Sequence, residues 1–220
     1  MVLPKDTNIT PRKYPTIPLG DDFIKQSPAD HFEDWFNDAI KKNVKEPDAL
    51  ILSTYDGKRV NARTVALRGF EKGEKEKGIF YIYTNYNSAK SKEIEKTKDV
   101  SLTFYWPDVF RQIRIIGQAK KCSAEQSDEY FASRPHGSQI GAWTSRQDEE
   151  LSSRQELLDS YEKFESQFGD KIQRPPFWGG FMIEAYEYEF MQGFESRLHA
   201  RLKYVYNEST NQFSCKRLWP

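Results

Sequence analysis

At 220 residues, with 33 basic side chains balanced by 33 acidic ones, the chain carries no net formal charge, which argues against a global electrostatic grip on nucleic acid and leaves anion binding to local clusters. Its length suits one domain with a substantial core, or two small ones. Two cysteines without motif spacing, no apolar run near the roughly 20 residues of a membrane span, and no signal-peptide pattern argue against a disulfide framework, a zinc site and a membrane helix, and fit a reducing, cytoplasmic setting.

The first twenty residues carry four prolines and no clear period, so residues 1–20 read as an extended arm and residues 21–220 as the folded domain. Ser27-Pro28-Ala29-Asp30 opens a helix whose apolar face is predicted to comprise Phe32, Trp35, Phe36, Ala39 and Ile40. After Pro47 the pattern turns to strands. Ala49 to Thr54 leads into a hairpin at Asp56-Gly57, with a return strand expected from Val60 to about Phe70. A further strand covers Ile79 to Thr84, and a short helix Ser88 to Lys98. Val100 to Trp106 and Gln112 to Ala119 form a second hairpin around Pro107-Asp108. Ser123-Ala124-Glu125-Gln126 is a capping box opening a helix to about Ser133, and Leu151, Leu157, Leu158, Tyr161, Phe164 and Phe168 mark a longer helix. Strands follow at Gly180 to Gln192, Arg197 to Tyr206 and Phe213 to Leu218. Mostly antiparallel strands with interspersed helices and no βαβ rhythm indicate a β-rich α+β fold, best read as a small closed or split barrel.

Five segments could carry chemistry. Arg63 and Arg68 frame the strand Asn61 to Arg68, although a solvated strand end explains either arginine alone. Tyr83-Thr84 feeds a strand into a helix start that holds Lys90, where free backbone amides and the helix dipole suit a phosphate; simple capping by Ser88 is the plain alternative. Gln112 lies between Arg111 and Arg114, able to meet the edge of a polar ring or to sit on a surface strand. Tyr130 and Arg134 stand at i and i+4, so a ring and a guanidinium can converge on an anion, and Ser138 follows after a glycine-containing turn. Arg197, His199 and Arg201 alternate, and a strand period would put all three on one face. Three scattered histidines give no metal spacing.

Together these segments resemble the pyridoxamine/pyridoxine 5'-phosphate oxidase family, FMN enzymes that make pyridoxal phosphate, from Arg12-Lys13-Tyr14 to Arg217-Leu218-Trp219-Pro220. The run Arg134-Pro135 to Ser145-Arg146-Gln147 and the run Phe177-Trp178-Gly179-Gly180 carry much of it. The resemblance implies a split β-barrel of the FMN-binding type with flanking helices, a homodimer, and FMN at the subunit interface. It implies FMN contacts from Arg63, Arg68, Tyr83, Thr84, Lys90, Gln112, Gln147 and Arg201. It implies a substrate site of Arg68, Tyr130, Arg134, Ser138, Arg197 and His199, with Arg197 and His199 over the pyridine ring and the reacting carbon. The implied reaction is oxidation of pyridoxamine or pyridoxine 5'-phosphate by O2, with hydrogen peroxide as second product.

Several positions depart from the family pattern. Arg68 stands where a lysine is usual, Ala89 for an arginine, Asp148 for a serine, Met191 for a tryptophan and Ala200 for an aspartate. Those changes cluster around the cofactor, and they keep open a second reading, a weakly active or inactive relative that carries or senses pyridoxal phosphate or flavin.

Overall fold

The computed structural model describes Tyr14, residues 27–169 and residues 171–220. The expected arm of residues 1–20 lies outside the described residues except for Tyr14. The chain runs α1 (Pro28–Lys41), β1 (Ala49–Tyr55), β2 (Val60–Ala66), β3 (Gly69–Lys72), β4 (Gly78–Asn85), α2 (Ala89–Thr97), β5 (Asp99–Trp106), β6 (Arg111–Lys121), α3 (Ala124–Ala132), α4 (His136–Thr144), α5 (Arg154–Gln167), β7 (Trp178–Gln192), β8 (Ala200–Asn207) and β9 (Gln212–Leu218).

All nine strands join one antiparallel sheet in the order β2-β1-β5-β6-β7-β4-β3, with β8 and β9 attached through β7. The long strand β7 forks the sheet. One of its edges pairs with β6, while the other pairs with β4 through residues 178–184 and with β8 through residues 187–192. At the fork the β6–β7 register shifts next to Gly117. A Cβ at Gly117 would meet the Glu184 carbonyl oxygen and the Ile183 side chain, so this close approach of backbones requires glycine.

The return strand expected to run from Val60 to about Phe70 is in fact two. Leu67 N–H donates to the Asp48 carbonyl at 2.8 Å, and the next amide, Arg68 N–H, donates to the Tyr81 carbonyl at 2.8 Å. Adjacent amides thus bond to opposite ends of the sheet path, and the chain steps across the seam between β2 and β3. The sheet curls without closing, which is the split-barrel architecture.

Local chemistry fixes several elements. The Asp56 carboxylate accepts from the Lys58 and Arg59 amides, and Gly57 takes φ 94°, which makes the β1–β2 turn. Ser27 caps α1 through the Asp30 amide at 3.1 Å, and both halves of the Ser123/Gln126 capping box are present on α3. On α1, Phe32, Trp35 and Ala39 are buried as expected, but Ile40 is 50% exposed and His31 takes the last place on the buried face. The longer helix begins later than its leucines suggest, at Arg154 after the Ser153 cap, which leaves Leu151 outside it.

The main core packs α1 against Leu50, Leu52, Phe80, Phe104, Ile113 and Phe190 of the curled sheet. Each such side chain, fully removed from water, contributes about 1.5–3 kcal/mol. A second, smaller core of Phe131, Ile140, Ala142, Ile172 and Trp178 lies under α3–α5 and fixes the helical side of the site described below. Cys122 and Cys215 are free thiols. No described helix is long and apolar enough to cross a membrane.

Candidate active site

A cleft of about 1030 Å³ opens at the seam of the sheet, between β2 on one side and β4, α2, α3 and α4 on the other. Nine of the thirteen residues singled out from the sequence line it: Arg63, Arg68, Tyr83, Thr84, Lys90, Tyr130, Arg134, Ser138 and Gln147.

Lys90, in the first turn of α2, is buried, and its Nζ donates to Thr84 Oγ1 at 3.2 Å, Ser88 Oγ at 3.0 Å and Gln147 Oε1 at 3.1 Å. Burial pushes its pKa down; the Asp148 carboxylate pulls against that, Arg63 adds to it, and Glu93 opposes it. Three neutral oxygens hold the ammonium in place while leaving its charge uncancelled by a direct ion pair. Arg63 is anchored from behind. Its guanidinium donates to the Leu52 carbonyl at 3.2 Å and to Thr54 Oγ1, and it meets the Glu93 carboxylate at 3.3 Å. Glu93 also accepts from Thr54 Oγ1 and from Asn61 Nδ2 at 2.8 Å, so one buried carboxylate on α2 fixes β1, β2 and the arginine together.

The opposite wall is flat. The Tyr83 and Tyr130 rings stack at 3.7 Å between centroids, and Trp178 lies nearly parallel to both. The Arg134 guanidinium stands 4.6 Å over the Trp178 ring, and its Nη1 is buried with no hydrogen-bond partner. Burial lowers the Arg134 pKa, the neighbouring Tyr130 opposes the shift, and the charge of Arg68 adds to it. A buried guanidinium N–H with nothing to donate to is costly unless a ligand fills the need. Arg68 is half exposed and pairs with Asp48 at 3.0 Å.

Ser138 does not follow a turn. His136-Gly137-Ser138 is the first turn of α4, and the helix has no side-chain cap because Pro135 sits at the N-cap. Asp148 faces the cleft and accepts the Ala89 N–H at 2.8 Å.

Four of the thirteen residues lie elsewhere. The expected strand face of Arg197, His199 and Arg201 does not form, because β8 begins only at Ala200. Ser196 and Arg197 take φ values of 54° and 60° in a one-turn 3-10 segment, and Arg197 is exposed there. His199 Nδ1 accepts the Phe194 N–H at 3.1 Å. Arg201 donates to Glu189 at 2.7 and 3.0 Å and to the Trp219 carbonyl at 2.8 Å. Gln112, Met191 and Arg201 sit opposite one another across β6, β7 and β8. Trp178 is in the cleft and Met191 in this row, thirteen residues along β7. At about 3.3 Å per residue the two groups are up to about 40 Å apart.

Residues missed from the sequence are the supports: Thr54, Asn61 and Glu93 behind Arg63, and Asn85, whose side chain joins the α2 loop to the Ser145 carbonyl at 3.2 Å. In the run from Lys90 to Lys96, Glu93 alternates with Glu95 among three lysines, and nothing in the sequence separates the buried acid from the exposed one. Trp178 belongs to the Phe177-Trp178-Gly179-Gly180 run, and its neighbour Gly179 is needed because a Cβ there would collide with the Tyr86 hydroxyl.

The sequence profile described as pyridoxamine 5'-phosphate oxidase matches residues 36–168, and that of the pyridoxine 5'-phosphate oxidase C-terminal dimerisation region matches residues 178–220. A pyridoxine/pyridoxamine 5'-phosphate oxidase of Rubrobacter xylanophilus is 46% identical over 197 residues, 88% of each chain. One of Paraburkholderia xenovorans is 39% identical over 206 residues, 93% of each. Among solved structures, PhzG from Burkholderia lata, in complex with tetrahydrophenazine-1-carboxylic acid, superposes with a TM-score of 0.84 at 27% identity, covering 92% of this chain and 98% of its own. A pyridoxamine 5'-phosphate oxidase-related, FMN-binding protein of Nostoc punctiforme shares the fold, with a TM-score of 0.69 at 16% identity over 90% of this chain and all of its own. With both profiles matched in order and curated relatives aligned over most of their length, this chain belongs to the pyridoxamine 5'-phosphate oxidase family.

Proposed function

We propose that the protein oxidises pyridoxamine 5'-phosphate or pyridoxine 5'-phosphate to pyridoxal 5'-phosphate with FMN as cofactor and O2 as oxidant, releasing hydrogen peroxide, and that it works as a cytoplasmic homodimer. The observation that carries this reading is the convergence in one cleft of Arg134, set over a flat aromatic wall with its Nη1 buried and unpartnered, with Lys90 and Arg63 on the other side. Two cationic groups of residues within one cleft of this volume suit two phosphorylated planar molecules.

Lys90, Arg63, Thr84 and Gln147 would hold the FMN phosphate, with Tyr83 and Arg68 at the ring side. Tyr130, Arg134 and Ser138 would hold the substrate phosphate. When bound, FMN supplies the two-electron oxidation at the substrate C4' carbon and the reduction of O2. The protein contributes orientation and positive charge. Fixing the substrate phosphate at Arg134 and Ser138 would set where C4' falls, and the buried Lys90 would place a positive charge at the FMN phosphate.

Gln112, Arg197, His199 and Arg201 would complete this site from a second copy. One chain carries the cleft at the start of β7 and this second group at its far end, so a second copy that presents its own far end to the cleft would bring both to one ligand. A two-fold dimer built on the C-terminal segment, which matches a dimerisation region, does so twice. Arg197 and His199 would then stand over the pyridine ring and Gln112 at the edge of the isoalloxazine. Purified protein given FMN and pyridoxamine 5'-phosphate should consume O2 and form pyridoxal 5'-phosphate; FMN uptake without turnover would leave a carrier or sensor. That second reading is favoured by one observation, the Asp148 carboxylate at the phosphate side of the cleft.

A further inference from the structure

We propose that Asp148 is a built-in anion at the start of α2, an internal competitor that a ligand's phosphate must displace, so that this one side chain sets how strongly the cleft prefers phosphorylated over unphosphorylated flavin. This deepens the FMN reading above and rests on it.

The Ser88 side chain, at the N-cap of α2, makes no capping bond; its hydroxyl donates to the Asn85 carbonyl at 2.7 Å and accepts from Lys90. The Asp148 carboxylate takes the vacated role from outside the helix by accepting the Ala89 N–H. An anion is what the positive end of a helix favours, and a carboxylate oxygen there makes the bond a phosphate oxygen would make. The placement is not incidental to the loop. Asp148 sits at φ 70°, a left-handed conformation that costs a non-glycine residue of the order of 1 kcal/mol or more and persists only where its surroundings favour it. Its neighbour Gln147 accepts from Lys90, and the Asp148 charge acts on that same ammonium. Helix terminus, buried lysine and carboxylate are therefore one electrostatic unit in which the negative partner is already supplied.

Asp148 is exposed and held by this one side-chain bond, so it can swing out. A phosphate arriving at Lys90 and Arg63 meets a nearby negative charge and must break the Ala89 bond. Riboflavin, which has the same ring system and no phosphate, meets neither obstacle. Solvent screening at the rim limits the effect to about tenfold at low salt, less as ionic strength rises.

The test is titration of FMN and of riboflavin by flavin-fluorescence quenching on the full-length protein, as wild type, D148N and D148S. D148N keeps an oxygen in place to accept the Ala89 N–H, while D148S removes both the charge and the reach of the side chain, and thermal unfolding by circular dichroism checks that both variants fold. The expected result is FMN bound about tenfold more tightly by both variants, riboflavin unchanged, and the gain shrinking with added salt. Unchanged or weaker FMN affinity in D148N and D148S, with wild type binding FMN, removes the Asp148 role and leaves the FMN reading standing; so does equal tightening of riboflavin. Failure of all three proteins to bind FMN sinks the FMN reading and the Asp148 role together.

Discussion

Arg134 separates a residue kept for a ligand from one kept for the fold. Its guanidinium gains a cation–π contact with Trp178 at 4.6 Å, which is worth about 0.5–2 kcal/mol. Against this, its Nη1 is buried without a partner, a cost of about 1–3 kcal/mol. The two nearly cancel, so Arg134→Met, which keeps the bulk and removes the charge, should change unfolding free energy by less than about 1 kcal/mol. With the substrate phosphate in place the balance changes. A charge-assisted bond contributes about 1.5–3 kcal/mol, so the variant should raise KM for pyridoxamine 5'-phosphate by about ten- to a hundredfold or more. Urea unfolding of the ligand-free protein and steady-state O2 consumption measure the two quantities. A variant that loses several kcal/mol of stability while KM stays the same would show that Arg134 serves the second core, and the substrate-phosphate assignment would fall.

Glu93→Gln leaves Arg63 without its buried counter-charge and should cost about 1–3 kcal/mol in the ligand-free protein. Saturating FMN, whose phosphate supplies the missing negative charge, should shrink that deficit in thermal unfolding; an equal deficit with and without FMN would contradict the placement of Arg63 at the phosphate. His31 lies fully buried, stacked on Phe190 at 3.8 Å, and burial, with the nearby Arg111 charge, pulls its pKa from 6.5 to about 3. The unfolded chain takes the proton first as pH falls, so stability is lost below about pH 6.5 at up to about 1.4 kcal/mol per pH unit, levelling off near pH 3. His31→Phe should remove about 2 kcal/mol of the difference in urea-derived stability between pH 7 and pH 5. An unchanged slope would show that His31 titrates normally in the fold.

Elements decided by neighbouring residues were readable from the sequence. The Ser27 and Ser123 caps and the Asp56-Gly57 turn close hydrogen bonds within three residues, and each forms as read. Features decided by distant partners were not. The break at Leu67-Arg68 exists because successive amides bond to the Asp48 and Tyr81 carbonyls on opposite sides of the seam, and between Val60 and Phe70 only Gly69 hints at it. The α4 helix hides behind Pro135-His136-Gly137, which reads as a turn and lacks a capping side chain. The Arg197/His199/Arg201 alternation is a true sequence period, but left-handed backbone at Ser196 and Arg197 keeps two of the three off the strand. The convergence of Arg63, Lys90 and Arg134 came from family resemblance, since their own segments offered separate anion-binding readings, each beside a plain alternative, and no reason for the three to meet. The supports that aim them, Glu93, Thr54 and Asn85, needed the fold.

The central claim is that each reaction centre takes its phosphate-holding cleft from one protomer and its Arg197/His199 group from the other. Co-expressing differently tagged Arg134→Ala and His199→Ala chains and assaying O2 consumption with pyridoxamine 5'-phosphate tests it directly. At pyridoxamine 5'-phosphate concentrations below the wild-type KM, neither homodimer should turn over appreciably. Each mixed dimer should regain one intact centre, giving about a quarter of wild-type activity from a random mixture and about half from purified mixed dimers. Mixed dimers as inactive as the parents would place both groups in the same chain's site and contradict the account.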